Sequence, residues 1–383
     1  MGIKLLLKNA EVMNKDFKLE KADIAIEDEM ISAIGCGIEA SGETIDLEGY
    51  MIVPGFVDIH IHGCAGYDVC DATREALSEI ALQLASNGVT SFCPTTMTVS
   101  TEDIEKALLN IKSCIDDSPE GADILGVNME GPYISINKKG GQKGDNVRSP
   151  DWTKFKSFYD ICGGFIKLVD IAPECEGSDE FIENASKICR VSIAHTDADY
   201  EQAKAAFTKG VTHATHLFNA MQGFGHREPG VVGAVFDNEN VMAELICDGF
   251  HIHPAALRTA FRVLGEDRTI IVSDSMRAAG LKDGTYELGG QEVKVSDGHA
   301  RLLDGTIAGS TTNLFEEVQN LVRFGIPFKQ VIKSATINPA RSVGEDKRIG
   351  SIDVGKQADL VVLDGNLNLK KVILRGKIIK NYL

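Results

Sequence analysis

Eight short β-branched runs, each ending in polar residues and each separated from the next by a helix-forming stretch, constrain this chain more than any other feature. The runs are MIVPGFVDIHIH (51–62), VTSFCPTT (89–96), DILGVNME (123–130), FIKLVDIAPE (165–174), VSIAHTD (191–197), VTHATHLFN (211–219), VMAELICDG (241–249) and TIIVSDS (269–275). Repeated βα units build parallel sheets, and eight is the number that closes a TIM-type (β/α)8 barrel. Intervening segments such as TREALSEIALQLASNG (73–88) and EQAKAAFTKG (201–210) carry helix formers and stop in glycine. At 383 residues the chain has room for one such barrel and a modest appendage.

The two ends supply the appendage. ADIAIEDEMISAIG near the start and ADLVVLDGNLNLKKVILRGKIIKNYL at the finish alternate like hairpins and lack a helical period. The expected division is a small β-sandwich domain of residues 1–53 plus 346–383, and a barrel over 54–345. TYELGGQEVKVSDGHARLLDGTIAG (285–309) reads as a β-hairpin inserted after the eighth strand, placed to cover the barrel's mouth.

Some partners are excluded by composition. Fifty-six acidic against 39 basic residues give a net charge of −17, which repels nucleic acid and anionic membranes. An anionic ligand would need a local cation. No apolar run approaches the roughly 20 residues that cross a bilayer, and the first residues lack a long apolar segment with a cleavage site, so the chain is expected in the cytoplasm. Nine scattered cysteines, none in CxxC spacing, are expected as reduced thiols.

The unusual polar residues fall where barrel enzymes carry their chemistry, at the C-terminal ends of strands. His60 and His62 close the first run and, two apart, project from one face. Glu130 ends the third after an apolar approach, where an ionised carboxylate needs a cation. His195 ends the fifth, His216 the sixth and Asp274 the eighth. Each alone reads equally as a hydrogen-bonded core histidine, a cap or a turn; six together read as a divalent metal site. Nitrogen and oxygen donors suit zinc, or iron or manganese, and not calcium. His213, three residues before His216, faces the other way and is expected to be structural. Cys64 and Cys70 lack a ligand spacing and read as packing residues. Lys167, far from the end of its run, reads as an ion-pair residue rather than a carbamylated metal bridge.

Longer motifs carry a resemblance almost end to end: PGFVDIHIHG (54–63), EGPY (130–133), HLFNAM (216–221), HREPGVVGA (226–234), CDGFHIHP (247–254), SDSM (273–276), and the closing NPAR and GSIDVGKQADL. With these the chain resembles the N-acetylglucosamine-6-phosphate deacetylases of the amidohydrolase superfamily. The resemblance implies removal of acetate from a phosphorylated amino sugar, in amino-sugar catabolism. It implies that Glu130, His195 and His216 hold the shared metal, that retained His60 and His62 allow a second ion, and that Asp274 is both ligand and general acid/base. It further implies that Asn219 and Ala220 wall the sugar, and that Gly141, Asp248 and the stretch Ile307, Ala308, Gly309 and Ser310 belong to the substrate site. Arg227 and His251 resemble the phosphate-binding pair, with His251 reaching into the neighbouring subunit of a homodimer.

The chain also departs from the family pattern. Gln142 stands where many relatives have a substrate-contacting histidine, Ser275 where an alanine often follows the aspartate, and Thr311 and Thr312 differ after AGS. Rival readings are a deacetylase for the galactosamine epimer, a cyclic-amide hydrolase of the dihydroorotase or hydantoinase kind, and a catalytically silent scaffold.

Overall fold

A computed structural model describes residues 4–39, 42–117 and 120–382. Residues 1–3, 40, 41 and 383 of the expected terminal domain lie outside the described residues. Eight parallel strands follow one another in chain order: Phe56–Ile61, Val89–Thr96, Val127–Met129, Ile166–Ile171, Arg190–Ile193, Val211–Ala214, Met242–Leu245 and Thr269–Ile271. Each is followed by a helix, from Arg74–Ser86 after the first to Leu314–Arg323 after the eighth. The ring closes just beyond the eighth strand, where Asp274 N donates to His60 O at 2.9 Å and His62 N donates to Ser275 O at 2.9 Å. This is the TIM-type barrel that the eight runs predict.

Local chemistry sets the helix limits. Thr73 caps Arg74–Ser86 through its hydroxyl, and Asp199 and Gln202 form a reciprocal capping box on Tyr200–Lys209, which ends at Gly210. The barrel wall is apolar on both faces because strands buried between helices and interior meet no water. Val57 and Ile59 join Leu168, Ile270 and Val272 in a cluster at the closed end, against Ala340 and Val343.

The first run is two strands rather than one. Met51–Pro54 belongs to an eight-stranded mixed sheet built from both chain ends, in which it pairs with Leu5–Met13 and with Leu360–Leu363. Gly55 then turns the chain into the barrel, its N–H held by Asp359 O at 2.8 Å.

The insertion expected as a hairpin is a three-stranded antiparallel meander, Gly284–Leu288, Gln291–Ser296 and His299–Leu302. Two successive two-residue turns, Gly289-Gly290 and Asp297-Gly298, all at positive φ, make the difference. Such turns match the twist of the flanking strands. All nine cysteines are free thiols. No helix among the described residues is long and apolar enough to cross a membrane.

Candidate active site and metal centre

Six side chains expected as ligands arrive at one point from five strand ends. In the first strand, three steps of chain (Asp58 to Ile61) oppose two in the second (Phe92 to Pro94), a bulge. Bulges re-aim side chains. Here it lets Val57 and Ile59 fill the closed end while His60 and His62 turn into the cluster above it. His195, His216 and Asp274 sit just past their strands at φ of 42°, 27° and 45°. That left-handed conformation costs a non-glycine residue roughly 1–2 kcal/mol, and it recurs where surrounding structure enforces a functional geometry.

Two triads result, His60–His62–Asp274 and Glu130–His195–His216, the candidate ligand atoms within each lying within 4.8 Å of one another. His195 Nε2 and His216 Nε2 each lie 3.0 Å from Glu130 Oε1, and 3.1 Å from each other. His62 Nε2 lies 3.2 Å from both Glu130 Oε2 and Asp274 Oδ1, and His60 Nε2 is 3.5 Å from a carboxylate oxygen of each. All six residues are buried.

The donor pattern shows why this cluster suits a cation. His195 Nδ1 donates to Lys138 O at 2.9 Å and His62 Nδ1 to Thr95 O at 3.2 Å; a carbonyl only accepts, so each neutral ring must carry its proton on Nδ1. Their Nε2 lone pairs therefore face carboxylate oxygens, which also only accept. His60 Nε2 is buried with no hydrogen-bond partner. Such a set takes up protons or takes a metal. The proton affinity is visible: burial opposes the His62 cation, yet Asp274 and Glu130 outweigh it and push its pKa up to about 10. Burial likewise opposes the Glu130 charge, but His195, His216 and His62 hold that carboxyl well below its usual range. Imidazole and carboxylate donors in this number fit divalent zinc, iron or manganese.

Above the triads opens a cavity of about 580 Å³, within the range of small-molecule sites. His62, Glu130, His195, His216 and Asp274 form its floor, and Gly141, Gln142, Asn219, Ala220, His251, Ile307 and Gly309 its walls. Ala308 and Ser310 stand behind the wall. Ala308 is buried in the meander's apolar cluster, while Ser310 N donates to Asp274 O at 2.7 Å and braces the aspartate's loop.

The two residues of the expected phosphate pair take different places in this chain. His251 lines the cavity of its own chain, because Asp248 folds it back: Oδ2 takes His251 Nδ1 at 2.7 Å, and Oδ1 takes the N–H groups of Phe250 and His251 at 2.8 Å. Arg227 is exposed, makes no ion pair with Glu228 among the described residues, and does not line this cavity. Gln142 is buried and turned to Glu130, donating Nε2 to Oε2 while its Oε1 accepts Thr98 N at 2.7 Å. His213 stays outside the cluster, as expected, bonded to Glu244 and Ser342. Lys167, at the start of its strand, pairs with Glu345 at 3.0 Å.

The sequence reading missed Lys138 and Lys139 in the loop after the third strand, and Leu288, Asp304 and Thr306 of the meander region, all of them on the wall. Loop residues have no period to betray them. Glu244 was also missed, although a lone acid in an apolar strand was a usable signal.

This barrel and its paired triads define a metal-dependent amidohydrolase. Residues 51–379 match the amidohydrolase family model. The chain is 36% identical to the N-acetylglucosamine-6-phosphate deacetylase of Bacillus subtilis (strain 168), covering 99% of this chain and 98% of that protein. It is 33% identical to the N-acetylgalactosamine-6-phosphate deacetylase of Escherichia coli O157:H7, over 97% and 98%. Among solved structures it is similar to a Mycobacterium smegmatis N-acetyl-D-glucosamine-6-phosphate deacetylase, an aspartate-to-alanine mutant in complex with N-acetyl-D-glucosamine-6-phosphate, with TM-score 0.91, 29% identity and coverage of 98% and 99%. The chain belongs to the amidohydrolase family, on its N-acetylglucosamine-6-phosphate deacetylase branch.

Proposed function

We propose that this protein hydrolyses the acetamide of N-acetyl-D-glucosamine 6-phosphate, releasing acetate and glucosamine 6-phosphate. The observation that carries the reading is the floor of the cavity, where two triads of imidazole and carboxylate donors meet beneath an opening of hexose size. When bound at such sites, divalent ions lower the pKa of water to about 7 and polarise an acyl oxygen. Glu130, His195 and His216 would hold one ion; His60, His62 and Asp274 would hold a second.

The rest falls to this chain's own side chains. Asp274, on the floor, takes a proton from the attacking water and delivers it to the sugar nitrogen as the C–N bond breaks, converting a poor leaving group into a neutral amine. Asn219 and the backbone at Ala220 position the sugar, with Gly141, Gln142 and Ile307 on the opposing wall. His251, held by Asp248, meets the phosphate. Arg227 is exposed and does not line its own cavity, which supports a homodimer in which this arginine enters the partner's site. The ion pair of Lys167 with Glu345 argues against the cyclic-amide alternative, which would need that lysine at the metals.

Acetate release from the glucosamine and galactosamine epimers tests the reading, because relatives of both kinds match over nearly the full length. The glucosamine substrate is expected to give the higher kcat/KM, and chelation to abolish turnover. Asp274→Asn should lower kcat by about 10²- to 10⁴-fold while the ion on Glu130, His195 and His216 remains. Absence of acetate release from either sugar by fully loaded protein would refute the proposal.

A further inference from the structure

We propose that Glu244 is a positioning residue for the second ion: it sets the tautomer and aim of His60 and so decides whether the chain holds one ion or two. The proposal rests on the reading that His60, His62 and Asp274 bind metal. Glu244 is the only charged residue of the seventh strand, Met242–Leu245, and that strand supplies none of the six ligands. It is fully buried. Burying a carboxylate is costly unless donors surround it, and three do. His60 Nδ1 lies 2.9 Å from Oε2, His213 Nε2 3.0 Å from Oε1, and His216 N 3.3 Å from Oε2.

These contacts leave little freedom. An ionised carboxylate only accepts, so His60 donates from Nδ1 and His213 from Nε2. Ser342 Oγ, 3.0 Å from His213 Nδ1, then serves as donor to the free nitrogen. The chain Ser342–His213–Glu244–His60 thus has one consistent proton arrangement, and it ends with a bare Nε2 on His60 facing the cluster, the atom that lacks a hydrogen-bond partner. Behind the other ligand histidines the arrangement differs. His62 and His195 donate to carbonyls, and His216 Nδ1 has no partner. Among the described residues, Glu244 is therefore the only carboxylate behind a ligand imidazole. A carboxylate there fixes the ring and makes the ligating nitrogen more basic than a carbonyl does. Its contact with His216 N also ties the backbone of one triad to the side chain of the other.

Glu244→Gln separates this role from simple packing. It keeps the shape, but it places an NH₂ group against one of the two histidines. Where that histidine is His60, its proton moves to Nε2 and the ligand is lost. Zinc per chain is counted after removal of free metal, and each ion's affinity is measured by chelator competition, for the unmodified protein, His60→Asn and Glu244→Gln. The expected result is two ions, then one, and in Glu244→Gln a second ion bound about 10- to 100-fold more weakly with the first unchanged. One ion in the unmodified protein, unaltered by His60→Asn, would overturn the two-ion reading itself. Two ions of unaltered affinity in Glu244→Gln, with His60→Asn dropping to one, would overturn only the role of Glu244. Equal weakening of both ions would also overturn it, as a merely structural part. Should the variant not fold, ¹⁵N-histidine NMR of the zinc-loaded unmodified protein decides: His60 protonated on Nδ1 supports the proposal, and protonation on Nε2 overturns it.

Discussion

Asp248 illustrates how one carboxylate fixes a binding side chain. Burial opposes its charge, but His251 and the N–H groups of His251 and Phe250 hold its pKa below the ordinary aspartate value. With Nδ1 engaged, His251 can offer Nε2 to a phosphate in the cavity. An amide at position 248 has one accepting oxygen where the carboxylate has two, so it cannot hold the imidazole and the two backbone N–H groups as the carboxylate does. Asp248→Asn is therefore expected to raise KM for N-acetyl-D-glucosamine 6-phosphate by about tenfold, the worth of one charge-assisted hydrogen bond, with kcat little changed. An unaltered KM in steady-state kinetics would remove His251 from the phosphate site. At the same scale Gln142 works as a strut: it spans Glu130 and the Thr98 N–H, so its direct partner is a ligand carboxylate.

Between elements, the passage from the terminal sheet into the barrel depends on Gly55. A β-carbon built there would lie 2.2 Å from Thr90 Oγ1 and 2.8 Å from Thr90 Cβ, far inside contact distance. Gly55 alone separates the terminal-sheet strand Met51–Pro54 from the first barrel strand Phe56–Ile61, so relief would shift the strand that leads into His60 and His62. Gly55→Ala is expected to destabilise the protein by about 1–3 kcal/mol, the usual cost of overpacking, read by denaturant unfolding. A loss below about 0.5 kcal/mol, the spread of ordinary surface substitutions, would mean the two strands are less tightly joined than their contacts indicate. The meander is the other consequential element. Its residues Leu288, Val293 and Val295 pack with Met97 and Met276, so the cavity's cover is anchored to the barrel rather than merely laid across it.

For the whole molecule, charge bears on the proposed dimer. A chain of net charge −17 attracts a phosphorylated sugar only through local cations. His251 is in place within one chain, whereas Arg227 is not. If Arg227 serves the partner's cavity, mixed dimers of Asp274→Asn and Arg227→Ala chains should regain a near-normal KM, because one of their two sites combines an intact Asp274 with the partner's arginine. A mixture showing only the raised KM of Arg227→Ala would exclude the shared site.

The eight strand runs, the helix stops and the six ligand residues were all legible in the chain, because period and residue type are local properties. Asp274 could be placed at a strand end from its β-rich approach alone. What the text could not give was anything decided by partners distant in sequence. The bulge that turns His60 and His62 above Ile59 exists only against the second strand. Glu244 acquires meaning only beside His60, 184 positions earlier. The place of His251 on its own chain's cavity wall depends on Asp248, which folds the ring inward, and motif spacing says nothing of that direction. Sequence determined which atoms were available to meet a cation. Tertiary structure decided which lone pairs face it, since a tautomer is fixed by the hydrogen bond on the far side of the ring.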